Sequence, residues 1–310
     1  MNILVTGGGA GYVGCVLVPQ LLDAGHRVRV LDNLMFGGDA LLPFFRHPQF
    51  EFHKGDIRSR DDVAAAVRGC DAVIHLAAIV GYPACRKDPA LAQSVNIDGT
   101  ANVAAAVSSG QFVIFASTGS NYGAVEDVCT EETPLNPLSL YGQTKTLAEK
   151  MLLDRCSTIA YRFATAFGVS PRMRLDLMIN DFTYRALTQG YLVVYEKHFM
   201  RTFIHVHDMG RAFLFALEHA DAMRGQVFNV GSESMNCSKE EICDLIRRRV
   251  EPCYVHYADV DHDADKRNYI VSYKKINALG YNTTVSVDDG IEELARALAV
   301  IGFKTPYTNV

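Results

Sequence analysis

The stretch Ile3-Leu4-Val5-Thr6-Gly7-Gly8-Gly9-Ala10-Gly11-Tyr12-Val13-Gly14 decides the fold. Its first three residues are apolar, two of them β-branched, and read as a short strand. The glycines break that strand, after which Val13, Val16, Leu17, Leu21 and Leu22 recur at helical spacing until Gly25. Arg27-Val28-Arg29-Val30-Leu31 then reads as a second strand that ends at Asp32. Strand, glycine turn, helix and strand make a βαβ unit. Glycines in its first turn let the backbone approach a pyrophosphate, which sits at the positive end of the helix. Asp32, about twenty residues on, is placed to hydrogen-bond the hydroxyl pair of an adenine ribose. A carboxylate there repels a 2′-phosphate, so the unit reads as binding NAD rather than NADP. Gly8, Gly11 and Gly14 fit one glycine spacing and Gly9, Gly11 and Gly14 another. The turn holds more glycines than either requires, and the surplus reads as slack.

Outward from this unit the alternation continues. Phe50 to His53 is a strand leading into Gly55-Asp56-Ile57. Asp56 and the Ile57 backbone either meet the adenine or form a plain turn before the helix Asp61 to Val67. Ala72 to Leu76 is the fourth strand and ends in Ala77-Ala78, small residues where a cofactor would crowd the strand end. A helical pattern from Pro89 to Val107 carries Asn96. Gln111 to Phe115 is the fifth strand, opening into Ala116-Ser117-Thr118-Gly119-Ser120, and Thr158 to Tyr161 is the sixth. Strands alternating with helices imply a parallel sheet covered on both faces, with ligands outside the carboxyl ends of its strands.

Between the fifth and sixth strands lies Pro137-Leu-Ser-Leu-Tyr141-Gly-Gln-Thr-Lys145-Thr-Leu-Ala-Glu149. Tyrosine and lysine four residues apart on a helix share one face, one turn apart. A free phenol loses its proton only near pH 10. A neighbouring cation favours the phenolate, so the pair can build a general base for an alcohol proton. An isolated pair of this kind is usually plain helix surface; here it sits among other strand-end residues.

Composition sets bounds. The chain has 310 residues and a formal charge of −5, with no basic run, which excludes a nucleic-acid-binding reading. No apolar stretch approaches a membrane span, and Asn2 begins directly as a strand rather than as a leader. Eight cysteines are scattered singly, implying neither a zinc site nor a disulfide framework but reduced thiols in a cytoplasmic protein. His205 and His207 lack a nearby third ligand, so no metal is expected.

Taken together these motifs resemble the extended short-chain dehydrogenase/reductase family, in its nucleotide-sugar epimerase and dehydratase branch. The resemblance is carried by the glycine turn, Val30-Leu-Asp32-Asn33, Gly55-Asp56-Ile57, His75-Leu-Ala-Ala78, Asn96-Ile-Asp-Gly-Thr100, Ser117-Thr118, Tyr141-Gly-Gln-Thr-Lys145 and Arg201-Thr-Phe-Ile-His-Val-His-Asp208. It implies NAD as cofactor, held by Gly8, Gly11, Tyr12, Val13, Gly14, Asp32, Asn33, Asp56, Ile57, Ala77, Ala78, Asn96, Tyr141 and Lys145. Tyr141 would take the proton of a sugar hydroxyl, Lys145 would bind the nicotinamide ribose, and Thr118 would hydrogen-bond the reacting hydroxyl with Ser117 beside it. Thr118 is alternatively a strand-end hydroxyl that bonds its own backbone.

The expected fold is α/β: a Rossmann-type doubly wound parallel sheet with a smaller mixed α/β C-terminal substrate lobe. Residues 1–162 would form the NAD-binding domain, with 203–231 returning to it and Phe203 to Val206 rejoining the main sheet. Residues 163–202 and 232–310 would form the nucleotide-sugar lobe. By resemblance Arg201 grips the substrate diphosphate. An arginine fork suits two phosphate oxygens, so Arg267 comes next, with Asn180 as an amide partner. Arg174 is either a further ligand or a solvated loop charge. Relatives pair as homodimers through helices that here span Pro89 to Val107 and Leu140 to Leu153.

The reaction is read by subtraction. Dehydratases of the branch carry Asp-Glu directly after the threonine that Thr118 matches, whereas this chain has Gly119 and Ser120, neither a strong acid nor a strong base. A 4-epimerase needs Tyr141, Thr118 and NAD alone, and is the first expectation. A dehydratase, a net sugar oxidoreductase and a non-catalytic NAD-binding sensor are the rivals. Thr165 falls where epimerases of the branch usually place an asparagine. Cys85, in the loop after the fourth strand, reads as a small loop residue rather than a reactive thiol.

Overall fold

The computed structural model describes residues 1–258 and 268–301. Seven strands form one parallel sheet: β1 (Asn2–Thr6), β2 (Arg27–Asp32), β3 (Phe50–Lys54), β4 (Ala72–His75), β5 (Phe112–Thr118), β7 (Thr158–Phe163) and β11 (Gln226–Val230). Across the sheet their order is β11-β7-β5-β4-β1-β2-β3. From β1 the chain winds to one edge through β2 and β3, then returns to β4 on the other side. That reversal opens a crevice above the carboxyl ends of β1 and β4. The central strands are buried on both faces, as parallel strands under helices must be. One face packs through Val5, Leu17, Val30 and Ile74, the other through Leu4, Leu31, Val73 and Phe115.

The remaining strands build the second lobe and its junction with the sheet. They are β6 (Ala124–Cys129), β8 (Thr165–Phe167), β9 (Tyr191–Tyr195), β10 (Met200–His205), β12 (Asn236–Ser238), β13 (Tyr254–Ala258) and β14 (Asn268–Val271). Strands β12, β10 and β8 make a small sheet; β13 pairs β9, and β14 pairs β6. This corrects one expectation. Phe203 lies opposite Thr165 in the small sheet, and Gln226–Val230, not Phe203 to Val206, supplies the seventh strand of the large one. The helical pattern from Pro89 to Val107 is likewise not one α-helix: a π-helical stretch, Ser94–Gly99, interrupts it.

The glycines of this turn are not slack. A Cβ on Gly9 would stand 2.4 Å from Val30 Cγ1, and one on Gly14 would stand 2.0 Å from the Gly8 carbonyl oxygen. Both contacts are too close for any side chain, so the turn lies flat against β2 and the helix Gly14–Asp23 rises directly from it. Tyr12 leaves this turn in the opposite direction. Its ring belongs to the core of the second lobe, with Phe167, Met173, Ile179 and Phe203. Among the described residues no helix is long and apolar enough to cross a membrane.

Candidate active site

A single cleft runs along the carboxyl ends of the strands and gathers most of the residues singled out in the sequence. Gly8, Gly11, Tyr12, Val13, Asp32, Asn33, Asp56, Ile57, Ala77, Ala78, Ser117, Thr118, Tyr141, Lys145, Thr165 and Arg174 all line it. Gly14, Asn96, Asn180 and Arg201 do not. Arg267 lies outside the described residues.

At one end Asp32 closes the glycine turn. Its carboxylate accepts the backbone N–H groups of Leu34 at 2.8 Å and Ala10 at 3.2 Å. Burial pushes its carboxyl pKa up, against the pull of those N–H groups. Asn33 donates to Asp56 at 3.0 Å, and Asp56 is held down to about 2, chiefly by Arg58. Gly7 has a packing reason: a Cβ there would stand 2.3 Å from that of Ala77, just past the end of β4. The flat turn, the helix N-terminus and the acid at the end of β2 form a cradle that a dinucleotide fits.

At the other end stands the helix Leu140–Arg155, capped by Ser139, whose Oγ accepts the Gly142 N–H at 3.1 Å. It presents Tyr141 and Lys145 to the cleft. The Lys145 ammonium lies 3.9 Å from the centroid of the Phe115 ring and is almost wholly buried. Burial pushes its pKa down to about 7, against the pull of Glu149 one turn further on. Cys85, also near Lys145, is buried and its thiol donates to the Ile79 carbonyl; burial pushes it up to about 11, an inert thiol.

Thr118 faces the cleft and also caps the turn after β5. Its Oγ1 accepts the Ser120 N–H at 3.2 Å and donates to Ser120 Oγ at 3.2 Å. The alternative reading, a strand-end hydroxyl that bonds its own local backbone, is the one seen here. Ser117 is bound differently. Its hydroxyl donates to Glu149 at 2.5 Å and accepts from Asn121 at 3.1 Å. Glu149 is in turn gripped by Arg162 at 2.6 Å, inside a buried network that reaches Tyr122 and Asn229. With its proton committed to Glu149, Ser117 fastens the Tyr141 helix to β5.

Three expected ligands have internal work. Asn96 accepts from the Ile79 N–H at 2.8 Å and donates to Thr144 at 3.0 Å, tying the end of β4 to the Tyr141 helix. Asn180 accepts from the Gly168 N–H at 3.0 Å and donates to the Arg174 carbonyl at 2.9 Å. Arg201, buried on β10, donates to the Met200 carbonyl at 3.0 Å and lies off the cleft wall. Its position follows from the small sheet, where it pairs with Cys237.

Among the described residues the arginines that line the cleft are Arg174, paired with Asp176, and Arg172, which the sequence reading passed over. No motif marks Arg172; the available signal was a second arginine two residues before Arg174 on the same loop. Among the described residues the carboxylates on the cleft wall are Asp32 and Asp56, both at the dinucleotide end. A Cβ on Gly119 would stand 3.2 Å from the Tyr269 hydroxyl, a tight contact at which one of the two must give way by a few tenths of an ångström. His205 is bound by Glu293 at 2.8 Å, and among the described residues no group of three His, Cys, Asp or Glu side chains is arranged to hold a metal.

Comparison with known proteins places this geometry. Residues 3–231 match the model of the NAD dependent epimerase/dehydratase family. The chain is 27% identical to a putative UDP-glucose 4-epimerase of Methanocaldococcus jannaschii, over 94% of this chain and 96% of that one. It is 26% identical to a CDP-paratose 2-epimerase of Salmonella typhi, over 95% and 98%. The crystal structure of Thermus thermophilus UDP-glucose 4-epimerase in complex with NAD superposes with a TM-score of 0.83 at 25% identity, covering 96% of this chain and 99% of that one.

Proposed function

Because the chain belongs to the NAD-dependent epimerase/dehydratase family, we propose that it is a nucleotide-sugar epimerase inverting the 4-position of a nucleoside-diphosphate sugar through a transient 4-keto sugar. The observation that carries this reading is the distribution of acids along the cleft. Tyr141, Lys145 and Thr118 stand together where a sugar hydroxyl can be handled, while the wall carboxylates of the described residues lie at the far end. Eliminating water needs a second acid and base beside the new ketone. Positions 119 and 120 hold glycine and serine, and Tyr269 crowds the first of them.

Bound NAD supplies a reversible hydride acceptor. The chain supplies the rest. Tyr141 Oη holds and returns the proton of the sugar hydroxyl, Lys145 orients the cofactor ribose, and Thr118 Oγ1 positions the reacting oxygen. Thr165 lines the sugar end in place of an asparagine, with Arg174 beside it as an anion ligand. Asn180 and Arg201 act from behind, and Arg267 stays a proposed diphosphate ligand. The relative named for the 2-position shows that the family varies the carbon inverted; the 4-epimerase relatives favour the fourth. Residues 1–162 with 203–231 act as the NAD domain and the remainder as the sugar lobe, in a cytoplasmic homodimer of carbohydrate biosynthesis paired through the Pro89–Val107 and Leu140–Leu153 segments.

The test incubates the protein with nucleoside-diphosphate sugars deuterated at the 4-position. Deuterium retained on an inverted carbon is the expected result. Loss of one water from the product would replace this reading with dehydration, and label in free NADH would replace it with net oxidation.

A further inference from the structure

Arg172 belongs to the second lobe, yet its surroundings are those of the dinucleotide end. Its guanidinium stacks over Phe36 at 4.8 Å from the ring centroid, and Phe36 lies in the loop that follows Asp32 and Asn33. Both residues line the cleft, together with the glycine turn. Cys15, in the first turn of the helix Gly14–Asp23, feels the same guanidinium. Arg172 therefore adds a permanent charge beside a helix N-terminus, which already favours an anion.

The loop that carries it is pinned to the glycine turn rather than left to swing. Tyr12 Oη donates to the Gly168 carbonyl at 2.7 Å, and Ser170 Oγ donates to the Tyr12 carbonyl at 2.7 Å. Asn180 closes the knot, donating to Tyr12 Oη at 3.2 Å while it holds Gly168 and Arg174. Glu293 adds an outer tie by accepting the Val169 N–H at 3.1 Å. All of these polar side chains except Glu293 are buried or nearly so.

We propose that Arg172 is a cofactor-binding residue: a cation lent by the second lobe to the diphosphate of the dinucleotide, seated on Phe36, with Tyr12, Ser170 and Asn180 as its positioning residues. Cofactor retention then depends on the lobe and not on the Rossmann turn alone. The inference rests on the family's NAD dependence and not on the choice of epimerisation, so failure of the deuterium experiment leaves it standing.

The experiment uses the full chain stripped of nucleotide and follows NADH fluorescence during binding and release. Arg172→Gln should release NADH about ten-fold faster, in keeping with loss of one charge-assisted contact. Arg172→Lys should lie between, and Phe36→Ala should accelerate release about three-fold with the arginine intact. The NADH dissociation constant of the wild type should rise with salt more steeply than that of Arg172→Gln, a difference that a merely structural role would not produce. Unchanged NADH release in both Arg172→Gln and Phe36→Ala overturns the proposal. So does a variant whose NADH affinity is intact but whose affinity for UDP has fallen, because that would assign the arginine to the substrate's diphosphate.

Discussion

The two walls of the cleft are built by different means. On the sheet wall, the proposed functional residues sit where the backbone stops: Asp32 and Ala77 at or just past strand ends, Thr118 as the last residue of β5, Tyr141 and Lys145 on the first turns of one helix. On the lobe wall the proposed ligands sit on a loop, and the segment that carries Arg172 and Arg174 is tied down through Tyr12, Ser170 and Asn180. The first wall is fixed by secondary structure, the second by side chains that meet across more than 150 residues of sequence. On the proposed reading, chemistry falls on the wall fixed by secondary structure and recognition on the wall fixed by side chains.

This contrast can be broken in order of effect. Tyr141→Phe removes the proton carrier from the sheet wall without disturbing its fold. Turnover of a nucleotide sugar should fall about 10³-fold or more with NAD content unchanged, measured as kcat beside the absorbance of released cofactor. An equally active variant would strip the sheet wall of its chemistry. Arg162→Met tests what anchors that wall. It leaves Glu149 buried without its cation and should cost about 3–5 kcal/mol in urea unfolding, much of it recovered by adding Glu149→Leu.

On the other wall Asn180→Ala removes three hydrogen bonds at once. A loss of about 2–3 kcal/mol in stability is expected, with a KM for the nucleotide sugar raised about ten-fold and kcat within two-fold. A fall in kcat alone would mean that the lobe wall also shapes the chemistry. The smallest effect is a slope. The folded pKa of Lys145 is lowered to about 7 from 10.5, so between those values the unfolded chain binds more protons than the folded one. Cofactor-free protein should therefore gain stability as pH rises from 7 towards 10.5 and lose it as pH falls. Lys145→Met should flatten that dependence by about 2 kcal/mol between pH 7 and 9 in paired denaturant titrations.

The same contrast explains what could be read in advance. Gly8, Gly11, Asp32, Thr118, Tyr141 and Lys145 depend on local order along the chain, and spacing reveals local order. Arg201 comes first among the expected diphosphate ligands because its motif is local too, yet β10 pairs with Thr165–Phe167 and Asn236–Ser238, and Arg201 is not among the residues that line the cleft. Such pairings are set by packing in the lobe and leave no periodic trace. Asn180 shows the opposite case. The sequence reading puts it at the ligand, and the structure places it behind the loop, holding the backbone of Arg174 and the hydroxyl of Tyr12. Arg172 could not be distinguished from any surface arginine until Phe36 and the glycine turn were seen beside it.

The pairing of β14 with β6 has a consequence for how the protein is made. Val271, late in the chain, lies against Cys129, which precedes the Tyr141 helix. Until residues near 271 have left the ribosome, β6 has an unpaired edge, and unpaired edges recruit foreign strands. Strand β6 is synthesised early, but it waits through some 140 further residues for the strand that pairs it, on the order of ten seconds or more at ordinary elongation rates. A nascent chain arrested in that interval would be a client for chaperones, and a messenger truncated there would yield an aggregating fragment rather than a half-active enzyme.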